Sequence, residues 1–190
     1  MSVAREIVQR FVIAGGPGSG KSALLHALAE SGENCHEEVS RVLIRDQLEW
    51  GGGALPWGDL GAFAQECSER MRAQLQQCTH AKRCFFDRGL PDVIGYLTHG
   101  GRKLPQPWQA ASRGYANIAF FAPPWRDIYA NDPERPQTFA TAQALSTHIR
   151  RAYRDCGFRL IDLDKTSVAN RVRQVLHFLN ADHRMASANG

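Results

Sequence analysis

Residues 15–22 read Gly-Gly-Pro-Gly-Ser-Gly-Lys-Ser and match the pattern G-x-x-x-x-G-K-[ST] at every fixed position. This pattern binds phosphate, because glycines let successive backbone N–H groups turn toward phosphate oxygens where a β-carbon would collide. Lys21 has the reach to contact β- and γ-phosphates, and the hydroxyl of Ser22 is a ligand for Mg²⁺. The predicted nucleotide-binding residues are Gly15, Gly16, Pro17, Gly18, Ser19, Gly20, Lys21, Ser22 and Ala23.

The surroundings of this loop support the prediction. An apolar run at 10–15 leads into it, and Leu24, Leu25 and Leu28 then recur at helical spacing. A strand, a glycine loop and a helix in this order point the positive end of the helix at a bound anion. A glycine turn that binds nothing is the alternative, and this context disfavours it. No N-K-x-D base-reading motif is present, which favours ATP over GTP.

Asp87 is the candidate for the second carboxylate that such a site needs near its metal. The apolar segment 82–86 predicts a strand that delivers Asp87 to the carboxyl edge of a parallel sheet, where ligands bind. We therefore predict Ser22 and Asp87 as the metal residues. Arg88 would clamp a phosphate or pair with a carboxylate. The alternative is an ordinary Asp-Arg-Gly turn.

Glu37, Glu38 and Arg41 follow the second predicted strand. A carboxylate at this point could hold a hydroxyl acceptor or take its proton, and Glu38 and Arg41 are candidates for that site. The alternative is a charged helix start, where the helix dipole alone favours glutamate. The residues themselves leave both interpretations open.

Arg126 and Arg135 lie in a polar segment, 125–138, that has no clean periodicity and is predicted to be a lid. Arginines on a mobile segment can close over the transferred phosphoryl group, exclude water and neutralise charge. Solvated loop arginines are the alternative. Both residues are candidates for the catalytic set together with Lys21, Asp87 and Arg88.

Apolar strands alternate with helices along the whole chain, which is typical of a parallel sheet covered on both faces. The predicted strands are 10–15, 34–39, 82–86, 118–122 and 158–163. Helices are predicted from the phosphate loop to Gly32, at 39–50, from the N-cap Asp59 to Cys78, at 91–97, after Pro107, before Gly157 and from Val168. A single α/β domain at 1–180 and a flexible tail at 181–190 are expected.

Composition excludes several classes of protein. Of the 190 residues 43% are hydrophobic and 22% are charged, which excludes disordered and fibrous chains. No membrane-spanning run or signal segment is recognisable, so a cytoplasmic location and no membrane partner are expected. The net charge is +4 without a basic and aromatic stripe, which gives little support to a nucleic-acid partner.

Arginine provides 19 of the 23 basic side chains. A GC-rich genome explains such an excess, and so would phosphate binding, since the guanidinium pairs with phosphate oxygens bidentately. The five cysteines include no C-x-x-C pair and are expected to be reduced and mostly buried. The seven scattered histidines indicate no zinc site.

With these motifs the chain resembles the P-loop nucleotide and nucleoside kinases. More closely, it is similar to small bacterial "predicted ATPase" proteins grouped with the ribosylnicotinamide kinase domain of NadR-type regulators of NAD biosynthesis. The resemblance extends from Phe11 to about Leu179. It is carried by GGPGSGKS (15–22), EVSRVLIRDQ (38–47), ALPW (54–57), FFDRGLPDV (85–93), APPW (122–125) and IYANDPERPQTF (128–139).

The resemblance implies a kinase-type sheet in the order 2-3-1-4-5, with the Asp87 strand beside the phosphate-loop strand. In such kinases an acid and arginine pair after the third strand lies at the acceptor side of the γ-phosphate, which corresponds to Asp87 and Arg88. A glutamate after the second strand contacts the acceptor, which corresponds to Glu38, and lid arginines correspond to Arg126 or Arg135. The base contact corresponds to the loop 164–168. No nucleoside-specificity motif is recognisable.

The function predicted from the sequence is an ATP- and Mg²⁺-dependent small-molecule kinase whose acceptor is a hydroxylated, nucleoside-like metabolite. One alternative is a nucleotide-binding switch or hydrolase that acts through a protein partner. The other is a nucleic-acid-end kinase, which needs an open basic groove. A deep, polar, enclosed cavity beside Asp87, Glu38 and Arg41 would favour the small-molecule kinase, and a flat surface there would favour the switch.

Overall fold

Five parallel strands form one sheet in the computed structural model, which describes residues 8–79, 82–102, 112–130 and 137–188. The strands are β1 (Gln9–Ala14), β2 (Asn34–His36), β3 (Arg83–Asp87), β4 (Ile118–Phe121) and β5 (Arg159–Asp162). Their order is β2-β3-β1-β4-β5, as predicted. β3 therefore lies directly beside β1, with Asp87 in register with Ile13.

Helices follow each strand in the described part of the chain. They are α1 (Lys21–Glu30), α2 (Val39–Trp50), α3 (Leu60–Gln77), α4 (Leu90–His99), α5 (Phe139–Asp155) and α6 (Val168–Ala188). The predicted cap of α3 is confirmed, because the Asp59 carboxylate accepts a hydrogen bond from the Ala62 N–H at 3.0 Å. No helix in the described residues is both long and apolar enough to cross a membrane.

Three elements differ from the sequence prediction by more than two residues. β2 ends at His36 instead of residue 39, because α2 already begins at Val39. α6 continues to Ala188 and so includes most of the predicted tail. The short helix predicted after Pro107 falls largely outside the described residues, and a 3-10 turn is present at Ser112–Gly114.

The sheet separates two apolar clusters, as its apolar strands predict. One cluster packs α2, α3, α4 and α5 on the face that carries Cys84 and Phe86. The other packs α1 and α6 on the face that carries Phe85 and Phe120. All four of these side chains are at most 1% exposed, and burying one phenylalanine contributes about 1.5–3 kcal/mol. The strand ends that carry the functional residues thus stand on a rigid support.

α4 and α5 pack closely because α4 carries Gly95 at their crossing. A β-carbon at this glycine would lie 2.7 Å from Ile149 Cα and 2.9 Å from Ile149 N. Both atoms belong to backbone, so a larger residue could fit only if the helices moved apart. This contact fixes α4, whose first turn faces the end of β3.

Cys78 and Cys84 form a disulfide, which corrects the expectation that all five cysteines are reduced. Their Cα atoms, one directly after α3 and one in β3, lie 6.5 Å apart, within the range that a disulfide can bridge. Their spacing in the sequence gave no indication that these two cysteines lie close together. Cys35 and Cys67 are not in a disulfide.

Candidate functional site

The phosphate loop joins the end of β1 to the start of α1. Gly15 has φ +136°, and a β-carbon there would lie 2.3 Å from the Ala122 carbonyl oxygen. Gly20 has φ +83° and directly precedes α1 in the left-handed conformation. Glycine accommodates both positions without strain, so the two outer glycines of the motif shape the loop and let its amides face a phosphate.

Ser22 and Asp87 meet at the start of α1, as the sequence predicted for the metal pair. The Ser22 hydroxyl donates a hydrogen bond to Asp87 Oδ2 at 2.7 Å. The second oxygen, Asp87 Oδ1, is buried and has no hydrogen-bond partner among the described residues. A hydroxyl beside an unsatisfied carboxylate oxygen fits the ligand set of Mg²⁺ in a phosphate site.

The pKa of Asp87 is raised to about 6, first by burial and then by the charge of Glu38, against the opposing effect of Lys21 and Arg88. The carboxyl group is 3% exposed. Lys21, Arg88 and Ser22 therefore compensate its ionised form only in part, and a bound cation would stabilise it further.

Lys21 is buried over the phosphate loop. Its Nζ donates to the Gly16 carbonyl oxygen at 2.8 Å. Burial, followed by the charge of Arg88, lowers the pKa of Lys21 to about 8, although Asp87 and Glu38 oppose the shift. The ammonium group is thus desolvated and already directed at the loop that would hold the phosphates.

Glu38 and Arg88 form a buried ion pair between the ends of β2 and β3. Arg88 Nε donates to Glu38 Oε1 at 2.6 Å, and Ser40 Oγ donates to the same oxygen at 2.6 Å. Burial alone would raise the pKa of Glu38, but Arg88, Lys21 and the two hydrogen bonds outweigh it and lower the pKa to about 2. Glu38 is therefore ionised at neutral pH.

Arg88 adopts φ +74°, a left-handed conformation that costs a non-glycine residue about 1–2 kcal/mol. Its Nη1 donates to the Gly15 carbonyl oxygen and to Asp92 Oδ1, both at 3.2 Å. Asp92 Oδ2 in turn accepts from the Gly89 N–H at 3.0 Å and from the Tyr153 hydroxyl at 2.6 Å. These bonds offset the strain and hold Arg88 against the phosphate loop.

Two cavities meet at this network. A cavity of about 470 Å³ runs along the phosphate loop to Trp125, Thr166 and Arg171. A smaller one of about 30 Å³ lies between Arg88, Trp57 and Tyr96. Glu38 and Arg41 line both, so the two cavities share a wall.

The lid arginines are placed differently from the rest of the predicted set. Arg126 is exposed, and its guanidinium lies 5.1 Å from the centre of the Phe139 ring. Arg135 lies outside the described residues. The ends of the predicted lid segment approach each other, since the Tyr129 hydroxyl donates to the Gln137 carbonyl oxygen. The proposed role of either arginine stays a prediction.

Arg171 is a functional candidate that sequence reasoning missed. It is 2% exposed, its Nη1 donates to the Ser19 carbonyl oxygen at 2.8 Å, and its Nε donates to the Asp164 carbonyl oxygen at 2.7 Å. Its guanidinium also lies 5.1 Å from the Trp125 ring. It thereby joins the phosphate loop to the loop after β5, although in the sequence it resembles any arginine on a helix.

Residues 10–171 match the family model of an AAA domain. The chain therefore belongs to this AAA domain family. In this AAA domain the strand that carries Asp87 adjoins the phosphate-loop strand. No curated protein sequence matches the chain. The relation to NadR-type proteins stays a prediction.

Solved kinases have the same fold as this AAA domain. Deoxyadenosine kinase from M. mycoides is 14% identical with a TM-score of 0.61, over 91% of this chain and 99% of that chain. Thymidylate kinase from Candida albicans is 13% identical with a TM-score of 0.61, over 92% of each chain. Shikimate kinase from Acinetobacter baumannii is 15% identical with a TM-score of 0.58, over 93% of this chain and 96% of that chain.

Proposed function

We propose that this AAA domain protein is an ATP- and Mg²⁺-dependent phosphotransferase that acts on a small hydroxylated acceptor, with nucleoside-like molecules as the first class to test. The observation that carries the proposal is the wall of Glu38 and Arg41 that the two cavities share. A nucleotide hydrolase needs only the first cavity. A second polar cavity at the phosphate end of the first is what a transfer between two substrates requires.

The larger cavity has a volume within the usual range of ligand sites, ~300–1,000 Å³, and is the proposed ATP site. The loop amides and Lys21 would hold the phosphates, and Arg171 would fix the loop beside the base. Ser22 and Asp87 would hold Mg²⁺, which when bound neutralises charge on the phosphate oxygens. Solved kinases of the same fold include a deoxyadenosine kinase with bound dATP, which supports this assignment by analogy.

The smaller cavity is the proposed acceptor site. Its present volume, about 30 Å³, is close to that of one water molecule, so an acceptor can enter only if the walls move. The exposed side chain of Trp57 belongs to the loop between α2 and α3, which is the wall best able to do so. The cavity is polar and partly enclosed, unlike a flat surface, but it is not deep, so the kinase proposal requires that it open to admit an acceptor.

In the proposed reaction the acceptor oxygen forms a bond to the γ-phosphorus, and the bond from that phosphorus to the bridging oxygen of ADP breaks. The acceptor hydroxyl loses its proton. In the metal-free protein the pKa of Asp87 is about 6 and that of Glu38 is about 2, so an Asp87 oxygen that does not bind the cation is better suited than Glu38 to receive it. Glu38 would then orient Arg88 and the acceptor, and Lys21 would stabilise the charge on the transferred group.

The test is a screen of hydroxylated metabolites for acceptor-dependent formation of ADP. We expect at least one acceptor to stimulate ADP release, and Lys21→Ala to lower the stimulated turnover at least about 100-fold. Lys82→Ala is the matched control, since Lys82 is exposed and lies in neither cavity lining. ADP release that no acceptor stimulates would support the hydrolase instead, and wild-type turnover by Lys21→Ala would refute both.

A further inference from the structure

His36, Cys78 and Cys84 form a cluster on the sheet face opposite α1. Their ligand atoms, one ring nitrogen and two sulfurs, all lie within 4.8 Å of one another. β2 and β3 pair in parallel, with Asn34 beside Cys84 and His36 beside Phe86. Since side chains alternate along a strand, His36 and Cys84 lie on the same face, and Cys78 at the end of α3 lies over them.

The histidine has the surroundings of a metal ligand. Its Nε2 is buried and has no hydrogen-bond partner among the residues that the structure describes. Its ring stacks on Phe86 with 4.6 Å between ring centres and 5° between planes, which limits rotation of the imidazole. Burial also lowers the pKa of His36, so the neutral ring that binds metals is favoured.

Both sulfurs lie in the apolar core, and both residues are at most 1% exposed. Arg10 adjoins them, because it is in register with Cys84 and its Nη2 donates to the Cys78 carbonyl oxygen at 2.9 Å. A second donor of Arg10, Nε, is buried without a partner in the described part of the chain. A positive side chain at this point favours the thiolate over the thiol.

We propose that, in the reduced protein, His36, Cys78 and Cys84 bind one thiophilic divalent cation of the Zn²⁺ class. Zinc takes histidine nitrogen and cysteine sulfur in tetrahedral sites, in which neighbouring ligand atoms stand about 3.5–3.8 Å apart. Two thiolates neutralise the cation, so the buried site carries little net charge. Three protein ligands leave the fourth position to a water molecule.

The Cys78–Cys84 disulfide is the oxidised form of the same site. A dithiol reductant opens it by exchange, giving two cysteine thiols and the oxidised reductant. The cation then replaces the two thiol protons, which are released to solvent. Disulfide and cation are therefore mutually exclusive, because both use the same pair of sulfurs.

The site would also tie together β2 and β3, the strands whose ends lead to Glu38 and Asp87. His36 stands two residues before Glu38, and Cys84 stands three residues before Asp87. A cation held by both segments would fix the ends of β2 and β3 relative to each other. The proposal itself rests on the cluster, not on the kinase activity.

Titration of the reduced protein with Co²⁺ tests the proposal, since cobalt bound to thiolate absorbs in the near ultraviolet. We expect a thiolate band that saturates at one Co²⁺ per chain and that Zn²⁺ abolishes. The band should be absent from oxidised wild type and from Cys84→Ser, and His36→Ala should weaken binding at least about tenfold. Mg²⁺-type binding at Ser22 and Asp87 gives no thiolate band, so the two sites are distinguishable.

Cys35→Ser is the matched control, because Cys35 packs into the cluster on the other face of the sheet. It should retain the band in full. No band in reduced wild type, or a band that survives Cys84→Ser, would overturn the proposal. If Cys84→Ser does not fold, the wild type decides: its reduced form should hold one Zn²⁺ that oxidation to the disulfide releases to a coloured chelator, and failure to hold or release it refutes the site.

Discussion

Glu38 and Asp87 are buried carboxylates at the ends of neighbouring strands, but their surroundings shift their pKa values in opposite directions. Glu38 accepts two short hydrogen bonds, from Arg88 and Ser40, and its pKa falls to about 2. Asp87 accepts one, from Ser22, and its pKa rises to about 6 because burial dominates. Two carboxylates with separated pKa values can take different roles, one as a fixed charge and one as a proton acceptor.

At the residue scale this difference predicts a pH profile. The proposed reaction needs Asp87 ionised and Lys21 protonated, and their pKa values in the free protein are about 6 and about 8. The ratio kcat/KM reports free-enzyme ionisations. It should therefore rise with pH through about 6, pass a maximum near neutral pH and fall through about 8. Steady-state rates at limiting ATP, measured across this range with the acceptor found in the screen, check the prediction.

Glu38→Gln provides an independent check on which groups produce this pH profile. The charge of Glu38 raises the pKa of Asp87 and also that of Lys21. Its removal should move both limbs of the profile to lower pH, whatever the change in maximal rate. An acid limb that stays in place would mean that a group other than Asp87 controls it.

The contrast between predicted and missed site residues has a physical origin. Lys21, Ser22 and Asp87 were predictable because local spacing fixes them, either within one loop or at the end of one strand. Asp92, Tyr153 and Arg171 were not, because their roles depend on contacts across the fold. The Tyr153 hydroxyl bonds an aspartate 61 positions away, and Arg171 bonds a loop 152 positions away. Only the structure brings such residues together.

At the scale of elements, Gly95 allows α4 to pack closely against α5. In Gly95→Ala the new β-carbon would meet backbone atoms of Ile149 at 2.7 and 2.9 Å, which no side-chain rotation can relieve. We expect an overpacking penalty of about 1–3 kcal/mol, partly offset by the better helix propensity of alanine. The urea midpoint of unfolding should fall. Gly53→Ala, with no atom within 4 Å of the added carbon, should leave it nearly unchanged.

The sequence predicted most elements because their limits are encoded locally. α2 begins and ends as predicted, and its end is set by Gly51, which adopts φ +69°. β2 was overestimated because Glu37 and Glu38 resemble either a strand end or a helix start, and the ion pair with Arg88 decides between them. The order of strands rested on a resemblance, since no local pattern states which strands are neighbours. The disulfide depends on the turn between α3 and β3 and had no local signal.

At the scale of the whole molecule, the charges of Lys21 and Asp87 are expected to reduce the stability of the fold that supports them. Lys21, Asp87 and Arg88 are each at most 4% exposed. Burial lowers the pKa of Lys21 and raises that of Asp87, so at neutral pH both groups are charged against the preference of their surroundings. A bound nucleotide and cation would supply the missing charges. The protein alone should therefore become more stable at neutral pH when the charge of Asp87 is removed.

Asp87→Asn tests this trade-off. The ordinary pKa of aspartate is 3.8 and the folded value is about 6, so the folded state binds more protons between these values and stability falls as pH rises through that interval. Asparagine removes the charge and with it this dependence of stability on pH. Urea titrations measure the unfolding free energy of Asp87→Asn and of wild type. The difference, Asp87→Asn minus wild type, should increase between about pH 4 and pH 6 and then stay level, while the turnover of Asp87→Asn is lost. Asp155→Asn, at an exposed position outside both cavity linings, is the control for removal of an aspartate charge. A difference between Asp87→Asn and wild type that is constant with pH would mean that Asp87 ionises as readily in the folded chain as in the unfolded one, and the proposed role of Asp87 as a proton acceptor near neutral pH would lose its basis.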